Sequence, residues 1–298
     1  MAERKTLYHV DAFTGVPFAG NAAAVVPDAR GLSDSQMQAI AREMNLSETV
    51  FAFPAEGPDH DLVARFFSPS VEVPLCGHAT VALHHVRAAN AGVFSGSCVQ
   101  KTKAGLISVE ISNSGGVAQV SFVMKGIKFG EVMEGKDRDR IIAALGADLN
   151  DLDDRCPLQR VYAGLMIGLK SRACLDRLSP DMKELASLSG EMGFDDFVSF
   201  VLEDAEPGIK TRVRVFAPAM GIDEDPVTGS ANGPLAAYLV KHRLIEHEGG
   251  SVSFRSRQGE AIGRPGTVEL SVKISDGEPL EVSVGGEAVI LYKAEIAI

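Results

Sequence analysis

Residues 74–83 read PLCGHATVAL, and residues 226–235 read PVTGSANGPL. Each sets a proline, two further residues and a glycine ahead of a polar side chain that opens a mostly apolar stretch. The first continues as HATVALHHVRAAN and stops near Gly92, and the second runs on to AAYLV, so both read as helices. The likeness extends outward. Arg65-Phe66-Phe67-Ser68-Pro69 precedes the first motif and Arg214-Val215-Phe216-Ala217-Pro218 the second, each a strand ended by a proline. Farther upstream, REMNLSETVFAF (42–53) stands beside GEMGFDDFVSFV (190–201). Matches in the same order imply an internal duplication, and with it two pseudo-twofold domains.

The segments between these landmarks carry their own signals. KTLYHVDAF and SETVFAF alternate as half-buried strands do, and SCVQKT, LISVEI and VAQVSFV close the first half as further strands. Ser33 and Gln36 form a capping box ahead of Met37, Ile40, Ala41 and Met44, which fall on one helical face. Ser179-Pro180 reads as the opening of another helix, with serine as N-cap and proline in the first turn.

Composition narrows the function classes. The chain of 298 residues is 45% hydrophobic and 23% charged, as in globular proteins with a sizeable core. A net charge of −11 argues against a nucleic-acid partner, because phosphates demand a basic face. No run approaches the ~20 apolar residues of a membrane helix. The start, MAERKTLYHV, is charged, so neither a signal peptide nor a membrane partner is expected and the cytoplasm is the expected location. Four cysteines, at 76, 98, 156 and 174, form no CxxC pair, which argues against a zinc site or a disulfide framework. His78 with His84 or His85 has no HExxH-type spacing, so no metal is expected there.

The two glycine motifs suggest chemistry. The first N–H groups of a helix have no partner within it, and the macrodipole adds partial positive charge. Such an end takes anions, and the glycines Gly77 and Gly229 let a substrate come close to the backbone. Were the two copies to face one another, both helix ends would serve one cleft, holding a carboxylate or stabilising a forming enolate. The nearby acids are Glu48, Asp223, Glu224 and Asp225. The residues by themselves leave alternatives open. Glu48 reads as an acid/base group or a solvated strand-end carboxylate, Asp225 as a site acid or a turn residue before Pro226. His78 reads as a catalytic group, a cap or a core ring; Ser230 as a ligand or a plain N-cap; Cys76 as a thiol at the site or a small buried residue.

At these motifs the chain resembles the PhzF, or phenazine biosynthesis-like, family. The carriers are DAFTGVPFAGNAAAVV, NLSETVF, PLCGHATVAL, RVFAPAMGIDEDPVTGSANGPLAAYLV and QGEAIGRPG, which together span nearly the whole chain. The resemblance implies an α+β, diaminopimelate-epimerase-like fold of two similar domains, each a β-barrel-like roll around a central helix. It implies an active cleft between them and a homodimer. The domains would cover 1–125 and 126–285, with 286–298 returning to the first. It assigns the main acid/base role to Glu48, supporting roles to His78, Asp225 and Ser230, and backbone donors to Gly77 and Gly229, with no cofactor or metal.

The expected activity is a cofactor-independent isomerisation, by proton transfer, of a small carboxylate metabolite. Glu48 would take a carbon-bound proton and return it to another carbon. The alternative is a thiol-dependent epimerase, racemase or dehydratase acting through Cys76. Related enzymes oppose two cysteines at the helix starts, but the second copy carries Thr228 where that thiol would stand, and a hydroxyl is a far weaker acid/base near neutrality. A third reading is a carboxylate-binding protein without turnover. The substrate itself is not legible in the sequence.

Overall fold

The protein is described by a computed structural model covering residues 4–92, 95–114 and 116–298. The chain forms two compact units, Met1–Val123 with Gly285–Ile298, and Met124–Val284. It leaves the first within the strand Val117–Lys125 and returns within the strand Glu278–Gly286.

In the first unit, strand Arg4–Ala12 lies antiparallel to Ala288–Ala297 on one side and to Asn21–Val26 on the other. Helix α1, Asp34–Met44, then carries the chain to Glu48–Pro54, which runs parallel to Asn21–Val26. Ser33 caps α1 through the capping box with Gln36, as the spacing predicts. Leu62–Phe67 returns antiparallel, and helix α2, Gly77–Ala91, crosses to Gly96–Thr102, parallel to it. Gly105–Ser114 and the next strand complete a meander. Gly92 ends α2 in the left-handed conformation, at φ 63°, that glycine adopts without strain.

The second unit repeats this order. Strand Phe129–Val132 opens it, and helix α3, Gly135–Ala144, leads on to Gln159–Val161, antiparallel to that strand. Gly164–Leu169 is followed by helices α4, Arg172–Asp176, and α5, Met182–Met192, then by the parallel strand Asp196–Leu202. Ile209–Ala217 returns antiparallel, and helix α6, Gly229–Lys241, crosses to Ser251–Gln258, parallel to it.

Equivalent residues make equivalent bonds. Arg65 grips Glu72 through Nε and Nη2, at 2.8 and 2.7 Å, and Arg214 grips Glu224 in the same way, at 3.0 and 2.7 Å. Each guanidinium also lies over a phenylalanine two residues on, Phe67 or Phe216. These clamps tie the strand before each motif to the residues leading into it.

Both motif helices are buried on nearly all sides, as helices in the middle of a core are. Helix α2 packs on Arg4–Ala12, Asn21–Val26, Glu48–Pro54 and Ala288–Ala297, and α6 on Gly164–Leu169, Asp196–Leu202 and Gly266–Ser275. This corrects one expectation. Residues 48–52 are buried, fully or in part, without the alternation their sequence suggests. Their strand is covered on both faces: Phe51 joins Met37 and Ala41 of α1 in one core cluster, while α2 packs against the same strand.

The start of α5 corrects another. The cap is Asp181, not Ser179: its carboxylate accepts from the backbone N–H of Lys183 and Glu184, at 3.0 and 3.1 Å. One carboxylate satisfies two orphan donors and complements the helix dipole, whereas the Ser179 N–H is drawn away to the Leu145 carbonyl. Among the described residues, no helix is long and apolar enough to cross a membrane.

Candidate active site

Cys76 is the N-cap residue of α2, extended at φ −138°, and its side chain makes no capping bond. The thiol is therefore left to face its neighbours. Gly77 and His78 follow in the first turn, where backbone N–H groups have no partner within the helix. Glu48 comes from another direction. Asn45 closes α1 in the left-handed conformation, and Glu48 then opens a strand opposite Ala23.

The three side chains meet. His78 Nε2 lies 3.3 Å from Glu48 Oε2, Cys76 Sγ lies 3.5 Å from the same oxygen, and Cys76 Sγ lies 3.4 Å from His78 Nδ1. Cys76 and His78 are buried, and the Glu48 side chain is 13% exposed. Burial pushes His78 down to about 3, and a hydrogen bond with the Ala22 backbone only partly opposes this. At neutral pH the ring is uncharged, so its contact with Glu48 joins a neutral imidazole to a carboxylate. Ligand atoms of the three residues all lie within 4.8 Å of one another, a grouping that could hold a metal ion. Helical spacing rules could not find it, because Glu48 lies 28 positions before Cys76.

Behind the cluster runs a chain of hydrogen bonds. Arg87 Nη1 donates to His84 Nδ1, at 3.2 Å, so His84 carries its proton on Nε2 and donates it to Gln100 Oε1, at 3.0 Å. Gln100 Nε2 donates to Thr80 Oγ1, and Thr80 donates to the Cys76 carbonyl, at 3.1 and 2.8 Å. Burial holds His84 at about 4. The chain fixes the residue that opens α2.

In the second unit, Thr228 is the N-cap of α6, with Gly229 and Ser230 in the first turn. The Thr228 hydroxyl donates to Asp225 Oδ2. Gln258 braces this corner: its Nε2 donates to the Asp225 carbonyl, at 2.8 Å, and its Oε1 accepts from the Thr228 N–H and from Asn232 Nδ2, at 3.1 and 2.8 Å. Asp225 is buried, and Ser230 is half-buried with no side-chain hydrogen bond among the described residues. The structure thus gathers Glu48, Cys76, His78 and Gly77 at one helix start, and Asp225, Thr228, Gly229 and Ser230 at the other.

Sequence reasoning missed Asp196. It opens its strand as Glu48 opens its own, and it is pushed up to about 7, by burial first and by the charge of Asp225 second. The signal was present: laying REMNLSETVF over GEMGFDDFVS places Glu48 on Asp196. It also missed Gln100 and Gln258, polar residues late in their strands whose worth depends on the buried helix they brace.

Comparison with known proteins agrees with this architecture. Residues 10–294 match the PhzC-PhzF family model, described as phenazine biosynthesis-like protein. An uncharacterized isomerase of Clostridium acetobutylicum is 39% identical over 301 residues, covering 100% of both chains. Trans-2,3-dihydro-3-hydroxyanthranilate isomerase of Pseudomonas chlororaphis is 32% identical over 292 residues, 97% of this chain and 98% of the other. Among solved structures, a PhzF-family phenazine biosynthesis protein of Bacillus anthracis superposes with a TM-score of 0.88, at 28% identity, covering 99% of this chain and 100% of that one. A hydroxyproline epimerase from Agrobacterium vitis, at 12% identity and a TM-score of 0.65, covers 100% of this chain and 94% of that one and shares the fold. With its α+β, epimerase-like fold, the chain belongs to the PhzF, phenazine biosynthesis-like, family of isomerases.

Proposed function

We propose that the protein isomerises a small carboxylate metabolite by cofactor-independent proton transfer, with Glu48 as the base that removes a carbon-bound proton and returns it to another carbon. The observation that carries this reading is the Glu48 carboxylate, nearly buried, 3.3 Å from the His78 imidazole and 3.5 Å from the Cys76 thiol. A base working on a C–H bond requires a partly desolvated carboxylate of this kind. His78 orients the carboxylate and the substrate. The first-turn N–H groups at Gly77 and Gly229, with Ser230, hold the substrate's carboxylate or the enolate formed from it. Asp225 handles a second proton, with its carboxylate set by Thr228. The reading takes residues 1–125 with 286–298, and 126–285, as two domains acting on one substrate in a cleft. It takes the working form as a cytoplasmic homodimer. The Pseudomonas chlororaphis relative is named for a cyclic unsaturated carboxylate, which supports a substrate of that general class.

The test is carbon-bound hydrogen exchange. Small unsaturated and amino-acid-like carboxylates are incubated with the protein in deuterated water and followed by NMR. Exchange should fall at least about 100-fold in Glu48→Gln; undiminished exchange in that variant overturns the assignment.

A second reading makes Cys76 the proton carrier, because its sulfur sits 3.5 Å from Glu48 and 3.4 Å from His78. Thr228 at the matching place is hydrogen-bonded to Asp225 and supplies no second thiol. Exchange lost in Cys76→Ser but retained in Glu48→Gln would favour this route.

A further inference from the structure

We propose that Glu48, Cys76 and His78 form a binding site for a thiophilic divalent cation, Zn²⁺ or Cd²⁺, and that its occupancy shuts the site down. Tetrahedral zinc holds sulfur at ~2.3 Å, nitrogen at ~2.0 Å and carboxylate oxygen at ~2.1 Å, so ligand atoms around it stand about 3.4–3.6 Å apart. Here Cys76 Sγ to His78 Nε2 is 3.8 Å, His78 Nε2 to Glu48 Oε2 is 3.3 Å, and Cys76 Sγ to Glu48 Oε2 is 3.5 Å. The three donor atoms already have the spacing of one face of that tetrahedron; the sulfur also lies 3.4 Å from His78 Nδ1, so the imidazole must turn to aim its Nε2 lone pair at the cation.

The chemistry of the set agrees. A thiolate, an imidazole and a carboxylate together supply two negative charges, which neutralise a divalent ion, and the sulfur selects soft metals over Mg²⁺ or Ca²⁺. Cys76 and His78 are fixed by the start of α2, whose capping carbonyl is held by Thr80. Glu48 is fixed by its strand. Three protein ligands leave a fourth position open for water or an anion. Binding converts the Cys76 thiol to a metal-bound thiolate and releases one proton to the buffer, with no redox change.

That occupancy inhibits rests on the reading of Glu48 as the base; that the metal binds does not. The two are therefore tested apart. Co²⁺ added to the metal-free protein should give one equivalent of a near-ultraviolet sulfur-to-cobalt band with release of one proton in a pH-stat, and stoichiometric Zn²⁺ should then displace the band with no further proton release. Cys76→Ser should abolish the band. Glu48→Gln and His78→Gln should each weaken binding at least about tenfold, while Cys156→Ser, in the second unit, leaves it intact. No band, or a band that survives Cys76→Ser with circular dichroism unchanged, overturns the site. Hydrogen exchange on a substrate should fall in step with Zn²⁺ occupancy and return with a chelator; exchange persisting at full occupancy overturns the inhibition while leaving the binding result standing.

Discussion

Asp196 and Glu48 occupy the same place in the duplicated pattern, at the strand start after a helix closed by a left-handed residue, Gly193 or Asn45. Their surroundings differ. Glu48 meets a thiol and a neutral imidazole, whereas Asp196 is half-buried near the charge of Asp225 and is pushed up to about 7. Between the ordinary carboxylate value near 3.8 and about 7, folded Asp196 keeps a proton that the unfolded chain gives up. Stability therefore falls as pH rises through that window. Asp196→Asn should remove this slope, gaining on the order of 4 kcal/mol on the parent between pH 4 and pH 8 in urea unfolding; parallel profiles would refute a protonated Asp196. At this scale the sequence was half legible. The residue types at positions 48, 76, 78, 225 and 230 could be singled out, but the meeting of Glu48 with Cys76 is made by a parallel strand pairing and a buried helix, which no local spacing records.

Helix starts show where element-level reading succeeds and where it fails. At α1 the capping box decided correctly, because Ser33 and Gln36 satisfy each other within four residues. At α5 the serine–proline pair misled, because a tertiary bond from the Ser179 N–H to Leu145 claims the backbone and a stronger cap, Asp181, lies two residues on. Asp181→Ala should cost about 1 kcal/mol in chemical denaturation, while Ser179→Ala should cost little. The arginine clamps offer a second test. Arg214 and Glu224 are both nearly buried, at 12% and 10% side-chain exposure. Arg214→Met, which strands the Glu224 carboxylate, should destabilise by about 3 kcal/mol, and the double variant with Glu224→Leu should recover most of it.

Taken whole, the molecule keeps neutral histidines in its interior and an excess of acidic residues in its sequence. His78 and His84 are held at about 3 and about 4, so between those values and 6.5 the unfolded chain binds two protons that the folded chain refuses. Stability should fall as pH drops below 6.5, against the trend set by Asp196. His84→Gln should flatten the acid limb by about 3 kcal/mol between pH 6.5 and 4, read from the slope of the urea midpoint against pH. The duplicated order of strands and helices was the most legible property of the chain, because glycines, prolines and paired arginines recur in one sequence order. The polar bracing beneath it was not, because Gln100 and Gln258 look like ordinary strand residues until a helix covers them.

The relay from Arg87 to the Cys76 carbonyl can run one way only, since arginine gives protons and a carbonyl takes them. Every proton along it is thereby assigned, including the one on His84 Nε2, which lies fully out of water. Such a proton leaves only when its surroundings open. Its imidazole resonance should persist after transfer to heavy water, and the hours it takes to fade become a clock for how often the core beneath α2 breathes.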